Sequence, residues 1–97
     1  MFIVRIEHPV ADFAAWKRTF DSDPIGRERS SVRGYRITRP VDDAAYAIVE
    51  LEFEALQHAE AFQQKLQRLW DGVQGDLIRN TCARILEQVE AASTDAT

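Results

Sequence analysis

The hydrophobic pattern of this 97-residue chain changes repeatedly between a period of two and a period near 3.6 residues. Four segments are rich in apolar and β-branched residues and have the pattern of strands: residues 2–8, 32–39, 45–53 and 81–90. Two segments carry an apolar stripe at helical spacing: residues 12–21 and 54–71. The chain is therefore predicted to fold in the order β-α-β-β-α-β.

Local signals mark the ends of both predicted helices. Asp12 can cap the first helix, in which Phe13, Trp16 and Phe20 recur at helical spacing. Gly72, followed closely by a second glycine, is a typical end for the second helix. A further helical turn is expected at residues 76–79.

This order predicts an α+β fold of the ferredoxin-like βαββαβ arrangement, a four-stranded antiparallel sheet with two helices on one face. Right-handed crossovers place the first and third strands inside the sheet and the second and fourth at its edges. Residues 1–90 are predicted to form a single domain, because 97 residues suffice for one. The small, polar residues 91–97 are predicted to be a disordered tail.

Composition excludes several classes of function. Twelve Lys and Arg against sixteen Asp and Glu give a net charge of -4, which argues against a nucleic-acid partner. One cysteine, Cys82, allows neither an intramolecular disulfide nor a cysteine-rich metal site, and we expect no metal or cofactor. No apolar run approaches the ~20 residues of a membrane span, and the N-terminus lacks the pattern of a signal peptide. We therefore expect a cytoplasmic protein with no membrane partner.

Strand alternation predicts a sheet face that the helices leave open. It would carry Ile3, Arg5, Glu7, Gly34, Arg36, Thr38, Tyr46, Ile48, Glu50 and Glu52. The last strand is ambiguous, because Cys82, Arg84 and Leu86 compete with Ala83, Ile85 and Val89 for the helix side. A bare face that mixes large apolar residues with opposite charges favours a partner, and a second copy of the chain is the simplest one.

Three segments together resemble a known superfamily: VADFAAWK at 10–17, GRERSSVRGYRITRPVDD at 26–43 and AYAIVELEFEALQHAEAF at 45–62. They are similar to the dimeric α/β-barrel proteins, and in particular to the small antibiotic-biosynthesis monooxygenases. The resemblance covers about residues 2–90 and implies a homodimer whose two sheets pack face to face as an eight-stranded α/β barrel. It also implies that a ligand, where there is one, lies between sheet and helices or inside the barrel.

The resemblance leaves three functions open. The first is the binding of a small aromatic or acidic metabolite between sheet and helices. The second is cofactor-independent monooxygenation, in which such proteins use Asn, Trp and His side chains around an aromatic substrate. The third is a structural or interaction homodimer without catalysis. No catalytic residue can be transferred from the family, since the first strand has no Asn and carries His8 at its end instead.

Five residues are candidates for a site. His8 could be a general base, since imidazole titrates near neutrality, or a hydrogen-bonded residue at a strand end. Trp16 and Tyr46 could line a ligand pocket together with Arg36, although tryptophan is more often a core or interface anchor. Glu50 is predicted to lie across the hairpin from Arg36.

Charge is divided unevenly along the chain. Residues 1–39 hold eight basic and five acidic residues, and residues 40–97 hold four basic and eleven acidic residues. The arginines cluster at Arg27, Arg29, Arg33, Arg36 and Arg39. The cluster could bind a carboxylate or phosphate, for which the guanidinium fork is suited. The favoured alternative is that it pairs with acidic residues of the same or a partner chain, above all Glu50 and Glu52.

Overall fold

The computed structural model describes residues 1–22, 26, 30–72 and 82–92. Its elements are β1 (Phe2–Pro9), α1 (Phe13–Asp21), β2 (Gly34–Thr38), β3 (Tyr46–Phe53), α2 (Leu56–Gly72) and β4 (Cys82–Glu87). The chain is thus an α+β protein with the predicted order of elements. The helical turn predicted at 76–79 and most of the predicted tail, residues 93–97, lie outside the described residues.

All four strands form one antiparallel sheet in the order β2-β3-β1-β4. β1 lies between β3 and β4, and its residues Val4 and Ile6 pair with Leu51 and Val49 of β3. β2 and β4 occupy the two edges. Since successive side chains of a strand point to opposite faces, this register assigns every paired residue to either the helix side or the open side of the sheet.

Both edge strands are shorter than the sequence pattern predicts. β2 begins at Gly34 rather than at residue 32, although the Arg33 N–H still donates to the Glu52 carbonyl at 2.8 Å. β4 ends at Glu87, and the next residue, Gln88, donates its N–H to the Met1 carbonyl at 3.0 Å. Alternation can continue past the last ladder pair, so it overestimates a strand that has a neighbour on one side only.

The cap of α1 is confirmed. Asp12 has extended backbone angles, and its Oδ1 accepts hydrogen bonds from the N–H groups of Ala14 at 3.0 Å and Ala15 at 3.4 Å. These bonds satisfy two of the N–H groups that a helix start leaves without partners. The helix then directs Trp16, which is 6% exposed, onto the sheet.

The core lies between the sheet and the two helices. β1 and β3 contribute fully buried side chains, and α2 covers them with Ala59, Phe62 and Leu66. Phe53 has no exposed surface, and its ring lies 5.4 Å from that of Phe62. The helix-side positions of the sheet are therefore filled by close packing of apolar side chains.

The ambiguous last strand is resolved by its pairing with β1. Ala83 pairs with Ile6 and Ile85 with Val4, so both lie on the helix side and pack against the core. Arg84 consequently lies on the open side, directly opposite Arg5. Val89, which the sequence pattern also offered for the helix side, lies beyond β4 and is 92% exposed.

We expect Phe53→Ala to lower the free energy of unfolding by about 3–5 kcal/mol, because it removes a fully buried ring and leaves a cavity against Phe62. Chemical denaturation followed by circular dichroism measures the change. Val89→Ala is the control and should leave stability nearly unchanged, since Val89 is exposed. An equal effect of the two substitutions would contradict the assignment of the core.

Candidate functional site

The open side of the sheet carries a row of four charged side chains. Arg36 of β2 pairs with Glu50 of β3, Glu50 pairs with Arg5 of β1, and Arg5 pairs with Arg84 of β4. The row therefore holds three cations and one carboxylate. Two further carboxylates, Glu7 and Glu52, lie on the same face in the neighbouring rows.

Glu50 lies at the centre of the ion pairs on this face. Its carboxylate oxygens lie 3.8 Å from Arg36 Nη1 and 3.9 Å from Arg5 Nη1. Arg5 Nε donates a shorter bond of 2.9 Å to Glu7 Oε2. The predicted pairing of Arg36 with Glu50 is thus confirmed, but the contact is long and Arg36 remains 74% exposed. Its guanidinium can therefore bind another acceptor.

Glu7 is the most strongly hydrogen-bonded carboxylate of the face. The Tyr46 hydroxyl donates to Glu7 Oε1 at 2.9 Å, and Arg5 binds the other oxygen. These two hydrogen bonds, with the positive charges of Arg5 and Arg84 nearby, lower the pKa of Glu7 below its ordinary value. Tyr46, a predicted ligand residue, thus lies on the open side, where it orients this carboxylate.

A depression of about 180 Å³ lies beside the charged row. Its lining consists of Ile3, Tyr35, Arg36, Glu50, Glu52 and Gln88. Gly34 pairs with Glu52, and a Cβ at Gly34 would lie 3.1 Å from Glu52 Oε1, so the glycine leaves room over this carboxylate. With two carboxylates and one guanidinium among its charged groups, the depression carries net negative charge and favours a cation.

Two charges of the open face have no ion-pair partner in the described part of the chain. Neither Arg84 nor Glu52 has an opposite charge within 4.0 Å among the described residues. Like charges placed directly across a strand pair repel each other, so Arg84 opposite Arg5 is unfavourable within the chain. The sequence pattern placed Glu52 on the open face but did not select Arg84, because it left open which face of β4 points toward the helices.

The structure separates the predicted pocket residues. His8 and Trp16 lie on the helix side, whereas Arg36, Tyr46 and Glu50 lie on the open side. The expectation that Trp16, His8, Tyr46 and Arg36 line one pocket between helices and sheet is therefore wrong. All five residues belong to strands or a helix whose positions were predicted correctly, but the two sets lie on opposite faces of one sheet.

His8 is a packed residue of the helix side. It is 3% exposed, and its ring meets the Trp16 indole edge-on at 5.9 Å. Its Nδ1 lies 3.1 Å from the Pro9 carbonyl oxygen, and since a carbonyl only accepts, Nδ1 carries the proton. Burial lowers the pKa of His8, although the bond to Pro9 opposes this shift. This environment favours the structural alternative over a general base, which needs access to its substrate.

The described part of the arginine cluster pairs within the chain. Arg33 Nη1 lies 2.6 Å from Glu54 Oε1, and the Arg39 guanidinium lies 4.7 Å above the Phe13 ring. Arg33 and Arg36 thus pair with acidic residues of the same chain, as the favoured alternative expects, whereas Arg39 contacts an aromatic ring and Glu52 forms no ion pair among the described residues. Arg27 and Arg29 lie outside the described residues.

The described residues form neither of two further kinds of feature, a metal site or a membrane-spanning helix. No group of three or more His, Cys, Asp or Glu side chains is placed there to hold a metal ion. Among the helices described, none combines the length and the apolar character needed to cross a membrane. The charged open face and its depression are therefore the candidate site.

We expect stability to fall as the pH drops below about 6.5, because the unfolded chain takes up a proton on His8 that the buried imidazole resists. This contribution is fully present above the ordinary pKa of histidine and is lost toward acid. His8→Phe keeps a ring against Trp16 and should flatten the dependence between pH 5 and 7. Urea denaturation at each pH measures it, and exposed His58→Gln, the matched control, should keep the wild-type slope. A wild-type slope in His8→Phe would contradict the burial argument.

Comparison with known proteins adds no family to this description. No protein-family model matches the chain, and no curated protein matches it in sequence. The resemblance to the dimeric α/β-barrel proteins thus depends only on the three sequence segments named for it.

Proposed function

We propose that this protein is a ferredoxin-like domain that functions as a homodimer, joined through the open face of its sheet so that two sheets close as an α/β barrel. The observation that carries the proposal is the composition of this face. Three arginines and three glutamates balance there, between half-buried apolar side chains such as Ile3, Ile48 and Leu86. A face of this kind can be covered by its own copy without leaving a net charge buried.

Physical reasoning favours covering the face. Removing apolar surface from water is favourable by roughly 25 cal/mol per Å², and this gain must exceed the entropy cost of association. A domain of 97 residues has a thin core, since a chain of this size buries only a little over ~60% of the surface that its unfolded form exposes. A second sheet would add apolar burial on the side that the helices leave bare. Two-fold dimers are the commonest way to supply it.

We expect the wild-type protein to sediment as a dimer at micromolar concentration. Ile48→Glu puts an unpaired carboxylate into the covered face and should shift the protein to monomer. Val41→Glu is the control and should leave the mass unchanged, because Val41 is fully exposed in the loop between β2 and β3. Sedimentation velocity measures the mass, and circular dichroism confirms that each variant is folded. A wild-type monomer across the concentration range would refute the proposal.

A second candidate function is the binding of a small organic acid in the depression. The long contact between Arg36 and Glu50 and the exposure of Arg36 favour it, because a forked guanidinium can bind a carboxylate. Half-buried Ile3, which lines the same depression from the open face, can contact the apolar part of such an acid. The two glutamates of the lining oppose an anion, so this candidate ranks second. The monooxygenase alternative gains no support, since His8 is buried away from the depression.

If the second candidate is correct, aromatic carboxylates such as benzoate and salicylate should raise the melting temperature. Arg36→Gln should abolish the shift, and Arg33→Gln should keep it, because Arg33 pairs with Glu54 outside the depression. Thermal-shift assays with the uncharged benzamide as reference measure the effect. Shifts that do not depend on Arg36 would rule out this site.

A further inference from the structure

The positions of the charges on the open face restrict how a second copy can dock. The midpoint between Arg5 and Glu50, which pair across β1 and β3, lies at the middle of the sheet. Arg84 lies one and a half strand spacings from this point, which is ~7 Å at a spacing of ~4.8 Å. Glu52 lies half a spacing away across the sheet and two residues along β3, which is also ~7 Å.

From these equal distances we infer that one two-fold axis through this midpoint sets the dimer, and that Arg84 of each subunit enters the depression beside Glu52 of its partner. This inference rests on the proposed homodimer and specifies its register. The axis lies in the plane between the two sheets. It bisects the angle between the lines that run from the midpoint to Arg84 and to Glu52. The contact forms twice, as any contact off the axis of a two-fold interface does.

The same axis also places a second pair of opposite charges together. Arg36 lies as far from the midpoint as Arg84 but on the opposite side, and Glu7 lies opposite Glu52 in the same way. The rotation therefore brings Arg36 over the partner's Glu7. Arg36 is 74% exposed, and Glu7 stays ionised to lower pH than an ordinary glutamate. The axis chosen for Arg84 and Glu52 thus also joins Arg36 to the partner's Glu7 without being moved, which strengthens the inference.

Apolar contacts agree with this axis as well. Ile3 and Leu86 are neighbours across β1 and β4, and the rotation brings Ile3 of one subunit next to Leu86 of the other. The strands of the two sheets then cross at roughly 70°, near the orthogonal class of sheet packing. Both side chains are half-buried in the single subunit and would become covered.

Two simpler axes through the same midpoint produce repulsion. An axis parallel to the strands would place Arg84 over the partner's Arg36, since these two lie at opposite ends of one row. An axis perpendicular to the strands within the interface would place Arg84 over the partner's Arg84. Like charges brought together across an interface oppose association, so charge selects against both.

The depression fits an arginine side chain in charge and size. Glu50 and Glu52 give its lining a net negative charge, and the partner's Arg84 would offset this charge. A volume of about 180 Å³ equals roughly six water molecules at ~30 Å³ each, close to the seven heavy atoms of an arginine side chain. Arg84 and Glu52, which have no ion-pair partner among the described residues, would then satisfy each other.

Charge reversal tests the register. Arg84→Glu and Glu52→Arg should each raise the dimer dissociation constant at least tenfold, because each change places like charges together at two symmetric contacts. The double variant should recover to within a few-fold of wild type. An equimolar mixture of the two single variants should form a heterodimer, which native mass spectrometry resolves. Arg68→Glu and Glu60→Arg make the same charge changes on the exposed surface of α2 and should leave the constant unchanged.

A cross-linking measurement covers the case in which a reversed variant does not fold. In a Cys82→Ser background, Arg84→Cys with Glu52→Cys should give a covalent dimer with a short bismaleimide. Arg84→Cys alone would cross-link if the axis ran perpendicular to the strands, and Arg84→Cys with Arg36→Cys would do so if it ran parallel to them. Both variants should cross-link far less.

The results separate the two proposals. A wild-type dimer that is indifferent to both reversals, or a double variant no better than the single ones, overturns the register while the homodimer stands. A wild-type monomer overturns both.

Discussion

The register between β1 and β3 is the constraint on which the rest of the structure depends. β1 and β3 are the two inner strands of the described sheet, and their pairing places Val4 against Leu51 and Ile6 against Val49. A slip by one residue would turn these side chains to the open side and bring Arg5 into the core. Burial of the apolar set therefore determines the register, and the register determines where every charge of the open face lies.

The uneven distribution of charge along the chain becomes a balanced distribution on the sheet. The basic first part supplies Arg5 and Arg36, and the acidic second part supplies Glu50 and Glu52. Antiparallel pairing of β3 with its two neighbours brings them together. Arg84 is an exception, since it is a cation from the acidic part of the chain and lies opposite another cation.

The local elements could be predicted with good accuracy because their signals are local. The cap at Asp12 and the spacing of Phe13, Trp16 and Phe20 depend on residues within two helical turns. Edge strands were predicted too long, because the ladder ends where the neighbour ends and not where alternation ends. Which face of β4 points toward the helices could not be predicted, because both faces carry apolar residues and only the pairing with β1 distinguishes them.

The sequence by itself determined the order of the elements, the alternation that divides each strand into two faces, and the types of charge on the open face. Only the tertiary structure decided that His8 packs against Trp16 on the helix side, away from Tyr46 and Arg36, which alternation already assigns to the open side. It also decided that Arg84 lies on the open side. The physical reason is that alternation sets faces only within one strand, whereas hydrogen-bonded register between distant strands sets how those faces combine.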